Sequence, residues 1–524
     1  MNIAIIFPKL RGYYERVEYW DNTNRGEVEL IDMNQLISLL EKNNHKVDLF
    51  MENYNIEKVD FIDAVREQQY DFLAIYPDYS SLINVAKMVK KIKRFSPKTS
   101  VAIFGYYATL NYENIMQIMH GIDLAIIGID EYPFLQVLDQ LEKKDNLTEI
   151  KGTVSYFDGK CFVNEPSKKY SLGFKDIPWP KRYRKDQKKV EIITINGCLG
   201  NCIFCENAVA RKNIGFHDIR FRDVFDVVEE IEYLVSKRGV ETIHIQDDSF
   251  FLYTNKRREW LEEFYYLMKE KGVNVSFVAH ARTTDLLKLG DLLGKMKEIG
   301  LYRILIGVEN FVQEKLDFFR KGITPEDNRK AIELLQGSGL EIGMGFLMFD
   351  PFTKLWQVKE NLEIIYNNKY YVHFLGVANY DSFPIDSVIG LVPGSDILQM
   401  TEDRGLINHS NWYGYEFESS EVRMYYLILE NWALKGSSLN GEVSRMNTST
   451  ANLRYDDICT QNIFRVANYI KKNNFEHLIE LCDLVMEQGD TLDYETYIQQ
   501  WEKSKEKAYN KLQLLKKTQE FNAG

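Results

Sequence analysis

Residues 198–205 read Cys198-Leu-Gly-Asn-Cys202-Ile-Phe-Cys205. Three thiols lie within eight residues, separated by three residues and then two. Gly200 and Asn201 make the intervening stretch turn-prone, which lets the thiols converge. Three thiolates can hold three corners of a cubane iron–sulfur cluster and leave the fourth iron without a protein ligand. An electron-transfer cluster takes four ligands, so a set of three points to an iron kept open for another molecule. Zinc also needs four ligands. No second Cys pair stands nearby, and His217 would complete a zinc set only at an odd spacing, beyond Arg211-Lys212-Asn213. A disulfide would leave one thiol over.

The flanking pattern places this loop at the end of a strand. Val190 to Asn196 is apolar and β-branched, and the cysteines follow directly. Further strands are expected at Thr242 to Gln246, Val273 to Ala279, Arg303 to Val308, Glu341 to Met348 and Tyr371 to Ala378. Between them, helical spacing marks Val224 to Lys237, Arg257 to Lys271, Leu286 to Ile299, Pro325 to Gly337 and Leu355 to Asn367. Six βα units predict a partial (β/α)6 barrel over residues 190–407. In such architectures reactive groups gather at the C-terminal ends of the strands.

Residues 1–145 carry an earlier series of short apolar runs alternating with helical periodicity, from Ile3–Phe7 to Asp123–Ile127. Strands that alternate with helices, apolar throughout because helices cover both sheet faces, predict a doubly wound Rossmann-like α/β domain. Residues 146–189 read as a linker, with a hairpin (Gly152 to Val163, turning at Asp158-Gly159) and a Pro-Trp-Pro connector at Trp179. Residues 408–524 read as a helical C-terminal region, with helices at Met424–Leu434, Asn462–Lys472, Phe475–Glu487 and Tyr497–Lys517. It would cover the barrel mouth or meet the substrate.

A net charge of −12 argues against a general nucleic-acid partner. No apolar run is long enough to span a bilayer, and the N-terminus lacks the basic start of a signal peptide. Cys161, Cys459 and Cys482 are isolated and read as small buried hydrophobes. A cytoplasmic location, where an oxygen-sensitive cluster survives, is expected.

The cysteine spacing, with an aromatic before the last Cys, resembles the signature of the radical S-adenosylmethionine (SAM) superfamily. That resemblance implies a [4Fe-4S] cluster whose open iron chelates SAM and cleaves it to a 5′-deoxyadenosyl radical. SAM is a zwitterion on an adenosine, so strand-end Asp247, Asp248, His280, Arg282 and Glu309 are candidates. Ile-Gly-Val-Glu309-Asn and Leu-Asp-Phe-Phe-Arg-Lys321 resemble the stretch after the fourth strand in such enzymes. By that resemblance Asp248 would take the amino group, Arg282 the carboxylate and Glu309 the ribose. Phe204 would pack beside the cluster or adenine, or else be a core aromatic. Charges capping strands and helix starts are the plain alternative for the others.

The domain order further resembles the cobalamin-binding branch of the superfamily over residues 1 to about 407. His45-Lys-Val-Asp-Leu-Phe50, Gly105-Tyr-Tyr-Ala-Thr109, Gly128-Ile-Asp-Glu131 and Val392-Pro-Gly-Ser395 with Arg404-Gly405 carry it. It implies a base-off cobalamin with its tail near Gly105, Thr109 and Gly128 and Tyr79 near the lower cobalt face. Two departures stand out: Tyr106 replaces a family glycine, and Ile129-Asp130 replaces Glu-Gly. No cysteine precedes Cys161, whereas the related methylthiotransferases carry three more in that domain.

The expected activity is therefore methylation of an unactivated carbon in a secondary-metabolite or peptide substrate. A one-electron reductant such as flavodoxin or ferredoxin would feed it, with neither nucleic acid nor membrane as partner. One alternative is deoxygenation, epimerisation or rearrangement beside a vestigial cobalamin domain, which Tyr106 and Asp130 would favour. Another is a non-catalytic iron–sulfur or zinc protein.

Overall fold

Strands that are apolar on both faces need cover on both faces, and the N-terminal series obtains it. The computed structural model describes residues 1–8, 31–51, 61–78, 81–145, 147, 149–183, 186–373, 385, 387–411, 413–435 and 458–520. Over the first part run β1 (Asn2–Phe7), α1 (Ile31–Lys42), β2 (Lys46–Met51), α2 (Phe61–Gln68), β3 (Phe72–Ile75), α3 (Leu82–Phe95), β4 (Ser100–Phe104), α4 (Tyr106–Ile118), β5 (Leu124–Ile126) and α5 (Tyr132–Lys143). The strand order is β2-β1-β3-β4-β5, all parallel. Two apolar layers pack on opposite faces of this sheet, one around Val65, Val89 and Met116, the other around Leu36, Phe134 and Val137. The order reverses between β1 and β3, where doubly wound sheets bind ligands beyond the strand C-termini.

The hairpin expected in the linker, β6 (Thr153–Phe157) and β7 (Lys160–Asn164), instead extends this sheet antiparallel from β5. Val154 is fully buried against the domain core, so the sheet edge reaches past the expected boundary at 145. Cys161 sits half-buried on β7, less enclosed than expected, while Cys482 is fully buried. The side chain of Cys459 lies outside the described residues.

The second series runs β8 (Lys189–Ile192), β9 (Ile195–Asn196), α6 (Glu206–Ile214), β10 (Arg220–Phe221), α7 (Val224–Arg238), β11 (Thr242–Ile245), α8 (Asn255–Lys271), β12 (Ser276–Arg282), α9 (Thr283–Leu289), α10 (Leu293–Glu298), β13 (Leu301–Glu309), α11 (Gln313–Phe318), α12 (Pro325–Ser338), β14 (Glu341–Phe346) and α13 (Leu355–Asn367). Five parallel strands, in order β14-β13-β12-β11-β8, form the open barrel wall. The sixth strand expected at Tyr371 to Ala378 begins as a 3₁₀ turn over Tyr370–His373, and the rest lies outside the described residues.

The strand expected over Val190–Asn196 is broken. Asp247, fully buried, accepts the amide protons of Thr194 at 2.7 Å and Ile195 at 3.1 Å, so these residues leave the ladder. The chain then pairs as β9 with β10. Arg257, also fully buried, donates to Asp247 at 3.1 Å, to the Thr194 hydroxyl at 2.7 Å and to the Phe250 carbonyl at 2.8 Å. Removing one partner of such a buried pair costs roughly 3–5 kcal/mol.

The C-terminal region holds α14 (Asp396–Asp403), α15 (Ser420–Lys435), α16 (Ile458–Gln488) and α17 (Tyr494–Glu520). The two helices expected over 462–487 are one. Asn474 does not break it, because it is buried and its Oδ1 faces the Trp501 indole N–H at 3.4 Å. Trp432 and Trp501 stack at 3.7 Å, and α15 to α17 share one apolar core with α13. In the described residues this region packs along the barrel flank beside α13 and Tyr370–His373.

Candidate active site

The cysteine loop leaves the barrel at the Thr194 break and ends where α6 begins, with Cys205 in extended backbone as its N-cap. Gly200 is the residue the three thiols need. A Cβ there would lie 3.3 Å from Cys198 Sγ and 3.7 Å from both Cys202 Sγ and Arg282 Nε, crowding the first thiol. The Gly200 amide donates to Cys198 Sγ at 3.2 Å, and Ile203 N–H bonds the Phe319 carbonyl at 3.1 Å, tying the loop to α11. All three thiols are free and half-buried. Among the described residues no three His, Cys, Asp or Glu side chains are placed to hold a single metal ion, and His217 is exposed. Three thiols on one loop are the donor set that a cluster with one open iron takes.

Burial pushes all three thiols up, Cys205 to about 11 with Asp248 adding to it. Gly200 N–H and Arg282 partly offset this at Cys198, and Lys321 and Arg282 do so at Cys202. Thiolates are the form that binds metal, so the cations and the bound iron would act together.

Glu309 ends β13 with φ +63°, beside a register shift against β14. A left-handed glutamate costs of order 1–3 kcal/mol and marks a position the surroundings impose. Its carboxylate accepts from Lys321 at 2.7 Å, and both side chains are largely buried. Nothing in the Leu-Asp-Phe-Phe-Arg-Lys321 run by itself assigns the lysine a role. Its signal was a lone lysine closing the Phe-Phe-Arg-Lys run, and the fold sets it against Cys202. Arg282 ends β12 and reaches over the loop, with Asp285 at 3.9 Å. Phe204 meets Phe319 edge-on at 5.6 Å in a small apolar cluster with Ile389 and Ile397, the environment of a core aromatic.

Asp248 lies on the other side of the loop. Asn207, on the first turn of α6, donates to its Oδ1 at 2.7 Å. Asp248 lines a cavity of about 500 Å³ between the N-terminal sheet and the barrel. Phe7, Tyr76, Gly105, Tyr106, Gly128 and Asp130, all at strand C-terminal ends of the first sheet, form one wall. Glu191, Asn196, Gly197, Asn207, Arg211 and Gln246 form the other. Asp247, by contrast, is spent within the fold.

The residues expected beside a cobalamin tail have internal duties as well. Gly105 has φ +94°, and a Cβ there would run into the Tyr76 ring at 2.3 Å. A Cβ on Gly128 would meet Pro166 at 2.9 Å. The Thr109 hydroxyl donates to the Gly105 carbonyl at 2.8 Å and accepts from Gly128 N–H at 3.0 Å, locking the two loops together. Tyr79 lies outside the described residues. Asp130 turns to the connector, accepting from Ser171 N–H at 3.1 Å and from the Ser171 hydroxyl. Glu131 grips Arg220 of β10. Asp32, on the first turn of α1, opens onto the cavity but is ringed by protein; burial, Glu131 and Asp248 raise its pKa to about 6.

The cysteine loop at the strand ends of the βα barrel is thus joined by one cavity to the C-terminal strand edge of a doubly wound sheet. The radical SAM superfamily profile matches residues 192–364, and the chain carries a radical SAM domain. That domain implies a [4Fe-4S] cluster and SAM. An uncharacterized methyltransferase of Pyrococcus horikoshii is 26% identical over 302 residues, 56% of this chain and 63% of that protein. A cytidylyl-2-hydroxyethylphosphonate methyltransferase of Streptomyces wedmorensis is 22% identical over 416 residues, 69% of this chain and 76% of that protein. The chain spans less than two thirds of the Pyrococcus relative and about half, 51% and 53%, of the next two curated relatives it matches. A solved structure of the cobalamin-dependent SAM radical enzyme OxsB, with aqua-cobalamin and SAM bound, is similar over 98% of this chain and 80% of that one, with TM-score 0.74 and 15% identity. At that identity the likeness is one of fold, and it takes in the C-terminal region that the sequence resemblance did not reach.

Proposed function

We propose that the chain is a radical SAM enzyme that uses cobalamin to methylate an unactivated carbon of a small-molecule or peptide substrate. One observation carries this reading: a single cavity joins the strand ends of the N-terminal sheet to residues flanking the cysteine loop, Gly197, Asn207 and Asp248. When bound, the cluster with SAM supplies a hydrogen-abstracting radical and cobalamin supplies the methyl group. The chain's own task is to bind, orient and exclude water. Cys198, Cys202 and Cys205 hold the iron. Asp248 takes the SAM amino group, Arg282 the carboxylate, and Glu309, steadied by Lys321, the ribose. Gly105, Thr109 and Gly128 frame the corrin tail. A one-electron reductant such as flavodoxin or ferredoxin, in a cytoplasmic setting, completes the cycle. No helix of the described residues is long and apolar enough to cross a membrane.

Anaerobic protein incubated with cobalamin, reductant and SAM bearing a labelled methyl group tests this. Label should reach product, with S-adenosylhomocysteine and 5′-deoxyadenosine formed together. A second reading has its own observation: Tyr106 occupies a family glycine position and Tyr76 already covers Gly105. If those rings keep the corrin out, the same radical would drive deoxygenation, epimerisation or rearrangement. Protein that retains no cobalamin through gel filtration, and yields 5′-deoxyadenosine alone, would establish it.

A further inference from the structure

We propose that Arg211, with the hydroxyls of Tyr106 and Tyr170, forms a phosphate-binding corner of the interdomain cavity. The site rests on the reading of that cavity as ligand-binding and names a chemical group it takes.

Arg211 stands on the last turn of α6 and is only 8% exposed. Of its five N–H donors one is engaged among the described residues, Nη1 to the Asp218 carbonyl at 3.2 Å, while buried Nε has no partner. It makes no ion pair among those residues. A buried charge without a counter-ion is costly, and the helix C-terminus favours a cation without neutralising it. The guanidinium lies against Gly197, where a Cβ would come within 3.0 Å of both Nη atoms, and so meets the backbone just before Cys198.

The carboxylates of the cavity wall have hydrogen-bond partners of their own, and Glu131 a counter-ion as well. Glu131 holds Arg220, Asp248 accepts from Asn207, Glu191 accepts from Gln246 at 2.8 Å, and Asp130 accepts from Ser171. Asp32, its pKa raised to about 6 by burial first and then by Glu131 and Asp248, is still largely ionised at neutral pH and is a further carboxylate on this wall. Arg211 is left facing the cavity. Tyr106 and Tyr170 line the same cavity; burial pushes both phenols up, Asp248 adds to it at both and Asp32 at Tyr106, and Arg211 opposes it at both. Neither hydroxyl is hydrogen-bonded among the described residues. A planar guanidinium and two hydroxyl donors complement a tetrahedral oxyanion.

Phosphate could arrive on the substrate or as the phosphodiester of the cobalamin tail. Calorimetric titration of the reconstituted protein with inorganic phosphate should give one site. Arg211→Gln should weaken it about tenfold or more, and Tyr106→Phe or Tyr170→Phe by less, with iron content and circular dichroism unchanged. Cobalamin and cobinamide, which lacks the phosphodiester, separate the sources. Selective loss of cobalamin affinity in Arg211→Gln assigns the tail. Unchanged cobalamin affinity with weakened phosphate assigns the substrate. If neither phosphate nor cobalamin binding responds to Arg211→Gln, the proposal is overturned. Should that variant lose iron or helicity, the Tyr106→Phe/Tyr170→Phe double variant decides, and unchanged phosphate affinity there overturns it. Arg211-dependent phosphate binding by protein that never retains cobalamin supports this corner and defeats the cobalamin reading alone.

Discussion

Arg220 and Glu131 face each other across the domain boundary in two parallel contacts, Nη2 to Oε1 at 2.6 Å and Nη1 to Oε2 at 3.1 Å. The guanidinium also lies over the Tyr170 ring at 4.1 Å and the Phe174 ring at 4.5 Å, so the connector is clamped with it. Glu131→Gln keeps the shape and removes the charge, leaving a buried guanidinium short of its partner. Urea denaturation should show a loss of roughly 3 kcal/mol. A loss below about 1 kcal/mol, the range of exposed pairs, would show that the boundary is not held here.

The iron ligands are tested by two sets of substitutions. Replacing Cys198, Cys202 and Cys205 together with Ala should abolish the brown iron–sulfur absorbance and SAM cleavage. Replacing Cys161 and Cys482 with Ala should preserve both. Iron that survives the first set and vanishes with the second would mean the wrong thiols have been chosen.

Glu309 and Lys321 act as a unit. Arg282→Ala and Glu309→Gln should each weaken SAM binding about tenfold or somewhat more while iron content holds, since a charge-assisted hydrogen bond contributes roughly 1.5–3 kcal/mol. Lys321→Met should lower SAM affinity and thermal stability together, because it strands a left-handed, mostly buried carboxylate. Equilibrium dialysis with labelled SAM reads the first effect and a melting curve the second. Full SAM affinity in all three variants would reduce them to scaffold.

Asp32 sets a pH dependence with a definite sign. The folded state holds its proton up to about pH 6, whereas the ordinary carboxyl releases it near 3.8. Its contribution to stability is therefore complete below about pH 4 and is lost as pH rises through about 6. Glu131, Asp248 and Arg220 are the charges that face it. Asp32→Asn should flatten the melting temperature between about pH 4 and 6 relative to the parent chain. Because the side chain opens onto the cavity, the effect is smaller than full burial would give. Parallel pH profiles for the two proteins would count against this environment.

Much of this site could be read before the fold was seen, for a local reason. The cysteine spacing and the strand–helix alternation are properties of short windows, and β-branched apolar runs such as Ile3–Phe7 leave little choice of element. What escaped reading depends on contacts distant in sequence. The Thr194 break needs Asp247, more than fifty residues on. The hairpin at 153–164 looked like a linker because its partner strand, β5, is named only by the fold. The continuity of the helix over 458–488, expected as two, rests on Trp501, which gives buried Asn474 a partner. Lys321 and Arg211 are visible in the sequence as charges, but only packing shows that, among the described residues, one is matched and the other is not.

The Thr194–Asp247–Arg257 knot decides which substitutions can disturb the cysteine loop from outside it. The direction in which the chain enters the cysteine loop is set by amides, a carboxylate and a guanidinium, and none of these is an iron ligand. The far side of the loop is pinned by Ile203 to Phe319 and by the start of α6. The entry to the loop and its exit are therefore held by contacts that iron ligation does not use, so a change at Thr194, Asp247 or Arg257 would misdirect the loop without removing a single ligand.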